Sequence, residues 1–487
     1  MTEAVALAFD DATYTRRQLD ELAGGLAEEL SATGVKRGSR VALMSSNRPE
    51  FVVAVRAIWR LGAAVVLISP AWRTVEVAHA LEVSRATHAV GDNAVLADLM
   101  IMRDLAEPVP RGSAVFDEPH ADDDAVLVFS SGTTGMPKAV RHTHASFGAA
   151  VRHWRDALAL TGADRIQVLT PPSHILGLLN IVTALDAGVW VRLHRRFDLD
   201  TMLRHIEIDR ITVEMAVAPI ALAIASHPDL ESFDLSSLRY IMWGATPVTT
   251  SVAEEVTRRT GVRWVPAYGA SEVPVIACNP IDGARLDTVG RAVPGVQVRA
   301  IDLETRVPSP PGVPGEIVVR SPSLMAGYLP ESENDDAFVD GWYRTGDVGV
   351  VDADGWIALV DRSKEMIKVR GFQVAPAEIE AVLHGHPAVA DCAVFGVDDG
   401  VGGERIVAAV RAITPIEAHD LIDLVSASLA TYKRPNAIMF VDDIPRLPSG
   451  KVLRRVLRDT VPRDTVLRDT VVGDRVLKES HGCTSDK

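Results

Sequence analysis

Apolar positions along the first third of the chain follow two alternating rhythms. Leu19, Leu22, Leu26 and Leu30 recur at the three- and four-residue spacing of a helix face. Thr15 and Gln18 form a capping box ahead of them, and Gly34 is placed to stop the helix. The run Val41–Met44 has strand length. A second helix is expected over Pro49–Leu61, leading through Gly62 to a strand at Ala63–Ile68. Ala125–Phe129 reads as a buried strand and Ala139–Arg141 as a second short one, while Phe147, Val151, Trp154 and Leu158 mark an amphipathic helix. This alternation predicts an α/β fold with a largely parallel sheet covered on both faces. The stripes are core positions and carry no functional assignment.

The rhythm changes twice. Pro308–Gly315 is a loop ahead of a strand at Glu316–Arg320. Beyond Asp361-Arg362-Ser363-Lys364 the pattern becomes compact α+β. It has a strand at Met366–Val369, a helix from Pro376 with Glu378 and Glu380 in its first turn, and a strand near Val389–Val397. The expected division is a large domain of several subdomains over 1–361, a small mobile α+β domain over 362–457, and a tail over 458–487. In the tail Arg-Asp-Thr-Val occurs at Arg458–Val461, Arg463–Val466 and Arg468–Val471, a period of five that suits neither heptad nor strand. With Pro462 and Gly473 it reads as a solvated, disordered segment, a docking element being the alternative.

Composition narrows the class. A chain of 487 residues exceeds one ordinary domain. A content of 47% hydrophobic and 24% charged residues is that of a soluble globular protein. The net charge of −15 argues against a general binder of nucleic acid or anionic membranes, yet local basic groups can still hold phosphates. Cys278, Cys392 and Cys483 are scattered without metal-ligand spacing, which suggests a reducing compartment and no structural zinc. The first residues lack the pattern of a signal peptide, and no apolar run reaches the ~18 residues of a membrane helix. A cytoplasmic protein is expected.

The chemistry is concentrated in Ser130-Ser131-Gly132-Thr133-Thr134-Gly135-Met136-Pro137-Lys138-Ala139. Small residues between two strands let backbone amides, hydroxyls and the Lys138 ammonium surround phosphate oxygens. The spacing is not that of a Walker A loop. A flexible linker is the alternative, but linkers seldom sit between two apolar runs. The segment resembles the phosphate loop of the adenylate-forming superfamily: acyl- and aryl-CoA synthetases, adenylation domains and luciferases. It departs at Ala139, where glycine is usual. The resemblance extends from about Tyr14 to Leu457, with further motifs in the family's order.

That resemblance implies an ATP-dependent acid–CoA ligase. A fatty or aryl acid is first adenylated, releasing pyrophosphate; CoA then takes the acyl group and AMP leaves. Implied co-substrates and cofactor are ATP, CoA and Mg²⁺. Tyr268-Gly269-Ala270-Ser271-Glu272 resembles the segment whose hydroxyl contacts phosphate and whose glutamate contacts Mg²⁺. Tyr268 would stack near adenine, and Gly244-Ala245-Thr246-Pro247 resembles the stretch that lies between adenine and the acyl pocket. Tyr343-Arg344-Thr345-Gly346-Asp347 resembles the ribose motif, with Asp347 accepting both hydroxyls and Arg362 contacting ribose. Pro448-Ser449-Gly450-Lys451 resembles the loop whose lysine bridges substrate carboxylate and α-phosphate. The stretch Asp361–Glu380 is similar to that of coumarate–CoA ligases, their acyl-CoA-forming relatives and luciferases. It implies Lys364 as hinge, Lys368 and Gln373 near AMP or the reacting carboxyl group, and Gly371 beside the pantetheine arm. Arg370 stands where lysine is common. The active site is expected between the two domains.

His174, within Pro171-Pro172-Ser173-His174-Ile175-Leu176-Gly177, matches the family's histidine beside the acyl pocket; a structural histidine is the alternative. His142 and His144 carry no catalytic assignment. The pocket is expected near His174–Asn180, Trp243–Thr246 and Ala267–Ile276, with Trp243 shortening the acyl tunnel. The segment after His174 lacks the acidic residue typical of amino-acid-activating relatives, so a fatty acid or an arylpropenoate fits better. Rival readings are a fatty-acyl-AMP ligase loading a carrier protein, a luciferase, and a nucleotide-binding homologue without catalysis. The partners implied are the acid, ATP and CoA, with a second copy of the chain as a further candidate; nucleic acid and membrane are not among them.

Overall fold

The computed structural model describes residues 4–130, 137–245, 248, 250–362, 365–369, 372–398, 404–429, 431–446 and 452–461. Ser131–Gly135, Thr246, Lys364, Gly371, Lys451, and the repeat copies beyond Val461 lie outside them. Contacts divide the chain into two compact units. The larger holds residues 1–299, 318–345 and 352–357; the smaller holds 300–317, 346–351 and 358–487.

The N-terminal elements follow from local sequence. Helix Arg16–Ala32 begins at a reciprocal capping box: Gln18 N donates to Thr15 Oγ1 at 3.2 Å and Thr15 N to Gln18 Oε1 at 2.8 Å. Leu19, Leu26 and Leu30 are its buried face, and Gly34 turns the chain away at φ +97°. Helix Pro49–Arg60, with Pro at its first turn, leads into strand Ala64–Leu67.

Among the described residues the larger unit has a seven-stranded sheet. Its order is Gly327–Leu329, Lys138–Thr143, Asp124–Ser130, Ala64–Leu67, Arg40–Met44, His88–Gly91 and Met102–Asp104. A nine-stranded sheet runs Arg291–Ala292, Ala277–Cys278, Trp264–Tyr268, Tyr240–Trp243, Val213–Ala216, Arg165–Val168, Trp190–Leu193, Val5–Phe9 and Ala12–Thr15. The expected parallel pairing holds in both interiors. The edges differ: Asp124–Ser130 and Lys138–Thr143 pair antiparallel, as do Val5–Phe9 with Ala12–Thr15 and Trp264–Tyr268 with Ala277–Cys278. Their connections are too short for a crossover, so neighbouring strands must reverse.

The α+β region of the smaller unit forms around strands Val389–Asp398, Glu404–Ala412 and Ala437–Phe440. Strand periodicity gives this sheet two apolar faces. Cys392, Val394, Ile406, Ala408 and Val410 pack with helices Pro376–His384 and Ala418–Ser428. Ala393, Phe395, Val407 and Ala409 pack with Leu457 of helix Arg454–Thr460. Two expectations change here. Glu380 is beyond the first turn of its helix, where its Oε1 accepts from Val394 N and Arg454 Nη2, both at 2.7 Å. The first repeat copy is ordered, because Arg458–Thr460 completes that last helix and Arg458 Nε donates to Gly396 O at 2.9 Å.

Among the described residues no helix is long and apolar enough to cross a membrane.

Candidate active site

In the larger unit the phosphate-loop motif joins two neighbouring strands. Ser130 ends one, Lys138 begins the next, and the two are cross-strand partners. The connection is therefore a hairpin whose ends converge. The Ser130 Oγ is buried with no hydrogen-bond partner among the described residues. An orphaned hydroxyl beside a lysine suits a phosphate oxygen, which supplies the missing acceptor. Lys138 Nζ lies 3.5 Å from the centroid of the Tyr328 ring and 3.6 Å from Glu333 Oε2.

The second motif leaves the C-terminal end of strand Trp264–Tyr268, the end at which open α/β sheets place ligands. Tyr268 is buried there. A Cβ on Gly269 would lie 2.1 Å from Pro274 O, so only glycine fits. His142 holds the following turn: its Nε2 is 2.7 Å from Ser271 O. A carbonyl only accepts, so Nε2 carries the proton. Burial pushes the imidazole down to about 4, leaving the ring neutral. Glu272 is 8% exposed; its Oε1 accepts from Tyr328 Oη at 2.7 Å and its backbone O from Met325 N at 2.8 Å. Tyr328 Oη is also 3.2 Å from Tyr343 Oη.

Lys138, Glu272 and Tyr343 thus come from three separate motifs and meet around one tyrosine. Tyr328 was not singled out by the sequence, nor was Glu333. The available signal was Gly327-Tyr328, a pair with no chemistry of its own until its neighbours are known.

Gly244 and Ala245 follow strand Tyr240–Trp243, with Gly244 N donating to Ala216 O at 3.2 Å. Ala245 has φ +64°, a left-handed conformation costly for a residue with a Cβ. Trp243 corrects an expectation. It is fully buried, with its ring centroid 5.1 Å from that of Trp264, inside an apolar cluster with Leu169, Ile220 and Ile241. It is a core residue rather than a wall of an acyl tunnel. His174 caps helix Ile175–Asp186 without a side-chain capping bond, and burial pushes its imidazole down from the usual value. The neighbouring Ser173 Oγ is buried without a partner among the described residues.

In the smaller unit Asp347 is buried within strand Trp342–Val351, and Arg362 ends strand Ile357–Arg362. Lys368 and Gln373 are register partners in the antiparallel pair Ile367–Val369 and Phe372–Val374. Residues on either side of 447–451 are pinned. Arg446 Nη2 donates to both Asp391 oxygens, at 2.8 and 3.0 Å. Leu453 N donates to Pro445 O at 2.8 Å. Arg454 pairs with Glu365 and Glu380 and donates to Val394 O at 2.8 Å.

Residues 1–329 match the family described as AMP-binding enzyme, and residues 378–451 match the AMP-binding enzyme C-terminal domain. The chain is 33% identical to a 4-coumarate–CoA ligase of Solanum tuberosum, over 92% of this chain and 89% of the relative. The fold is similar to that of ATP-bound MatB from Rhodopseudomonas palustris, with a TM-score of 0.89 and 27% identity over 94% of this chain and 96% of that one. It is also similar to the o-succinylbenzoate–CoA synthetase of Bacillus subtilis in complex with its acyl-adenylate intermediate. There the TM-score is 0.85 and the identity 30%, over 94% of this chain and 96% of that one.

Proposed function

We propose that this chain, which belongs to the AMP-binding enzyme family and is an ATP-dependent acid–CoA ligase, acts on an aromatic or arylalkyl carboxylic acid. The observation that carries the chemistry is the meeting of Lys138 and Glu272 at Tyr328, beside the orphaned Ser130 hydroxyl. Those groups suit a triphosphate and a divalent cation, and an acid–CoA ligase of this family needs both. The aromatic reading draws on the coumarate and succinylbenzoate relatives. A fatty acid, and with it a place in lipid metabolism, is the second reading, supported by the half-buried apolar residues Leu176 and Pro274 in the expected pocket segments.

The roles are those that the resemblance of the motifs implies. Ser130, Ser131, Gly132, Thr133, Thr134, Gly135 and Lys138 hold phosphate oxygens. Glu272 supplies a ligand for Mg²⁺, which when bound neutralises phosphate charge. Tyr268 with Gly244, Ala245 and Thr246 frames adenine; Asp347 and Arg362 hold ribose. Residues 1–361 form the ATP- and acid-binding part, and residues 362–457 carry Lys451. That lysine stabilises charge as the carboxylate attacks the α-phosphorus and pyrophosphate leaves. Rotation about Lys364 then exchanges Lys451 for the Lys368–Gln373 segment, where Gly371 passes close to pantetheine. The CoA thiol attacks the acyl carbon, the thioester forms and AMP departs. His174 borders the acyl group. A cytoplasmic setting is consistent with Cys278, a free thiol that burial pushes up to about 12 and so keeps unreactive.

The test is acid-dependent AMP release across aryl, fatty and amino acids, with and without CoA, beside Lys451→Ala. Aryl acids are expected to give the highest rates, with a CoA thioester as product. Lys451→Ala is expected to lower adenylation about 100-fold or more while sparing thiolation of a supplied acyl-adenylate. An adenylate that accumulates and ignores CoA would move the reading to a carrier-protein-loading enzyme.

A further inference from the structure

We propose that Tyr328 is a positioning residue that binds the phosphate-loop lysine and the metal-ligating glutamate into one unit. The inference rests on the roles given above to Lys138 and Glu272. Tyr328 is 3% exposed and belongs to strand Gly327–Leu329, which pairs with Lys138–Thr143. Its backbone is fixed independently, because Tyr328 N donates to Asn334 Oδ1 at 2.8 Å. The ring therefore has little freedom to follow a ligand.

The two ends of the side chain do different work. The face of the ring carries the Lys138 ammonium, 3.5 Å from its centroid. The hydroxyl spends its single proton on Glu272 Oε1, at 2.7 Å. The 3.2 Å contact with Tyr343 must then run the other way, with the Tyr343 hydroxyl donating to the Tyr328 oxygen. The result is a directed chain, Tyr343 to Tyr328 to Glu272, in which each donor strengthens the next. A phenol ordinarily keeps its proton well above neutral pH, so both hydroxyls are available as donors.

This geometry leaves Glu272 Oε2 outside the hydroxyl chain while Oε1 is held. A carboxylate oriented in advance loses less freedom when it takes a cation. Lys138 is held by the same residue, so removing parts of Tyr328 separates the two effects. Tyr328→Phe keeps the ring beneath Lys138 and deletes the bond to Glu272. Tyr328→Leu deletes both.

The experiment reads Mg²⁺-dependent ATP binding by calorimetry without acid or CoA, beside Mg²⁺ activation curves, ATP and acid KM values and the two half-reactions, for Tyr328→Phe, Tyr328→Leu and Glu272→Gln. Tyr328→Phe is expected to raise the Mg²⁺ concentration at half-activation about tenfold, as loss of a hydrogen bond to a charged group implies. Acid KM and thiolation of a supplied acyl-adenylate stay within about twofold. Tyr328→Leu adds a rise in ATP KM. The inference is overturned if Tyr328→Phe leaves the Mg²⁺ curve in place, or if it lowers both half-reactions equally. A shift with Glu272→Gln and none with Tyr328→Phe overturns the role of Tyr328 alone. No shift with Glu272→Gln overturns the metal reading of Glu272, and Tyr328 falls with it.

Discussion

Two glutamates of the larger unit are buried and hydrogen-bonded, and their surroundings differ. Glu272 leaves a strand at its C-terminal end and accepts from a tyrosine that also carries a lysine. Glu214 sits in the interior strand Val213–Ala216, fully buried, with Oε2 accepting from Gln167 Nε2 at 2.5 Å and Oε1 from Met215 N at 2.9 Å. Gln167 in turn contacts His194, whose ring burial pushes down to about 4 and so keeps neutral. With only neutral partners, burial pushes the Glu214 carboxyl up to about 8. Burial of an acid is therefore no signature of function. Position beyond a strand end, on a tyrosine that also carries Lys138, separates the two.

The sharpest way to break this contrast is Glu272→Gln. The amide oxygen still accepts from Tyr328, so the fold is retained and unfolding in urea shifts by less than about 1 kcal/mol. On the role proposed for Glu272 the substitution removes a metal ligand, and adenylation is expected to fall about 100-fold or more in single-turnover assays. Adenylation within a few-fold of the parent would place Glu272 in the same structural class as Glu214.

The next largest effect lies beside Glu214. Strand Tyr240–Trp243 pairs with Val213–Ala216, and Trp243 packs on Trp264 in the cluster beyond. Trp243→Ala is expected to destabilise the protein by about 3–5 kcal/mol, because the surrounding core collapses only partly into the void. The ranking of acid substrates should not change. A reordered ranking with unaltered urea unfolding would return Trp243 to the wall of the acyl pocket.

The legible parts of the molecule were those encoded by near neighbours. Thr15 and Gln18 are three residues apart, and their reciprocal bonds follow from helix geometry alone. Ser130 and Lys138 bracket a loop whose composition announces phosphate chemistry, and the strands on both sides form as the apolar runs imply. Residues that act through long-range contacts were not legible. Tyr328 meets Glu272 from 56 positions away, and His142 reaches Ser271 from 129 positions away. Neither spacing leaves a periodic trace. Trp243 misled for a related reason: proximity in sequence to Gly244-Ala245 suggested the pocket, whereas the next strand, carrying Trp264, decides where its ring lies. Glu214 was invisible because one acid within an apolar run looks the same whether it is ligand, salt-bridge partner or neutral core group.

The remaining effect is a slope rather than a level. An unfolded glutamate releases its proton around its ordinary value of 4.5, whereas folded Glu214 keeps it to about 8. Across that window the folded chain binds more protons than the unfolded one, so stability from this site is full below 4.5 and declines as pH rises. His142 and His194 act in the opposite sense. Burial lowers both from 6.5 to about 4, so their contribution is complete above 6.5 and is lost as pH falls. The parent's own pH profile mixes these terms, and Glu214→Gln isolates one. The amide offers a donor where the carboxyl accepted two bonds, which costs about 1–2 kcal/mol at every pH. The stability of the parent relative to the variant should therefore fall steadily in urea unfolding as pH is raised from about 5 toward about 8, so that the difference between them passes through zero and changes sign within that window. A gap that stays constant would mean that Glu214 is charged in the fold.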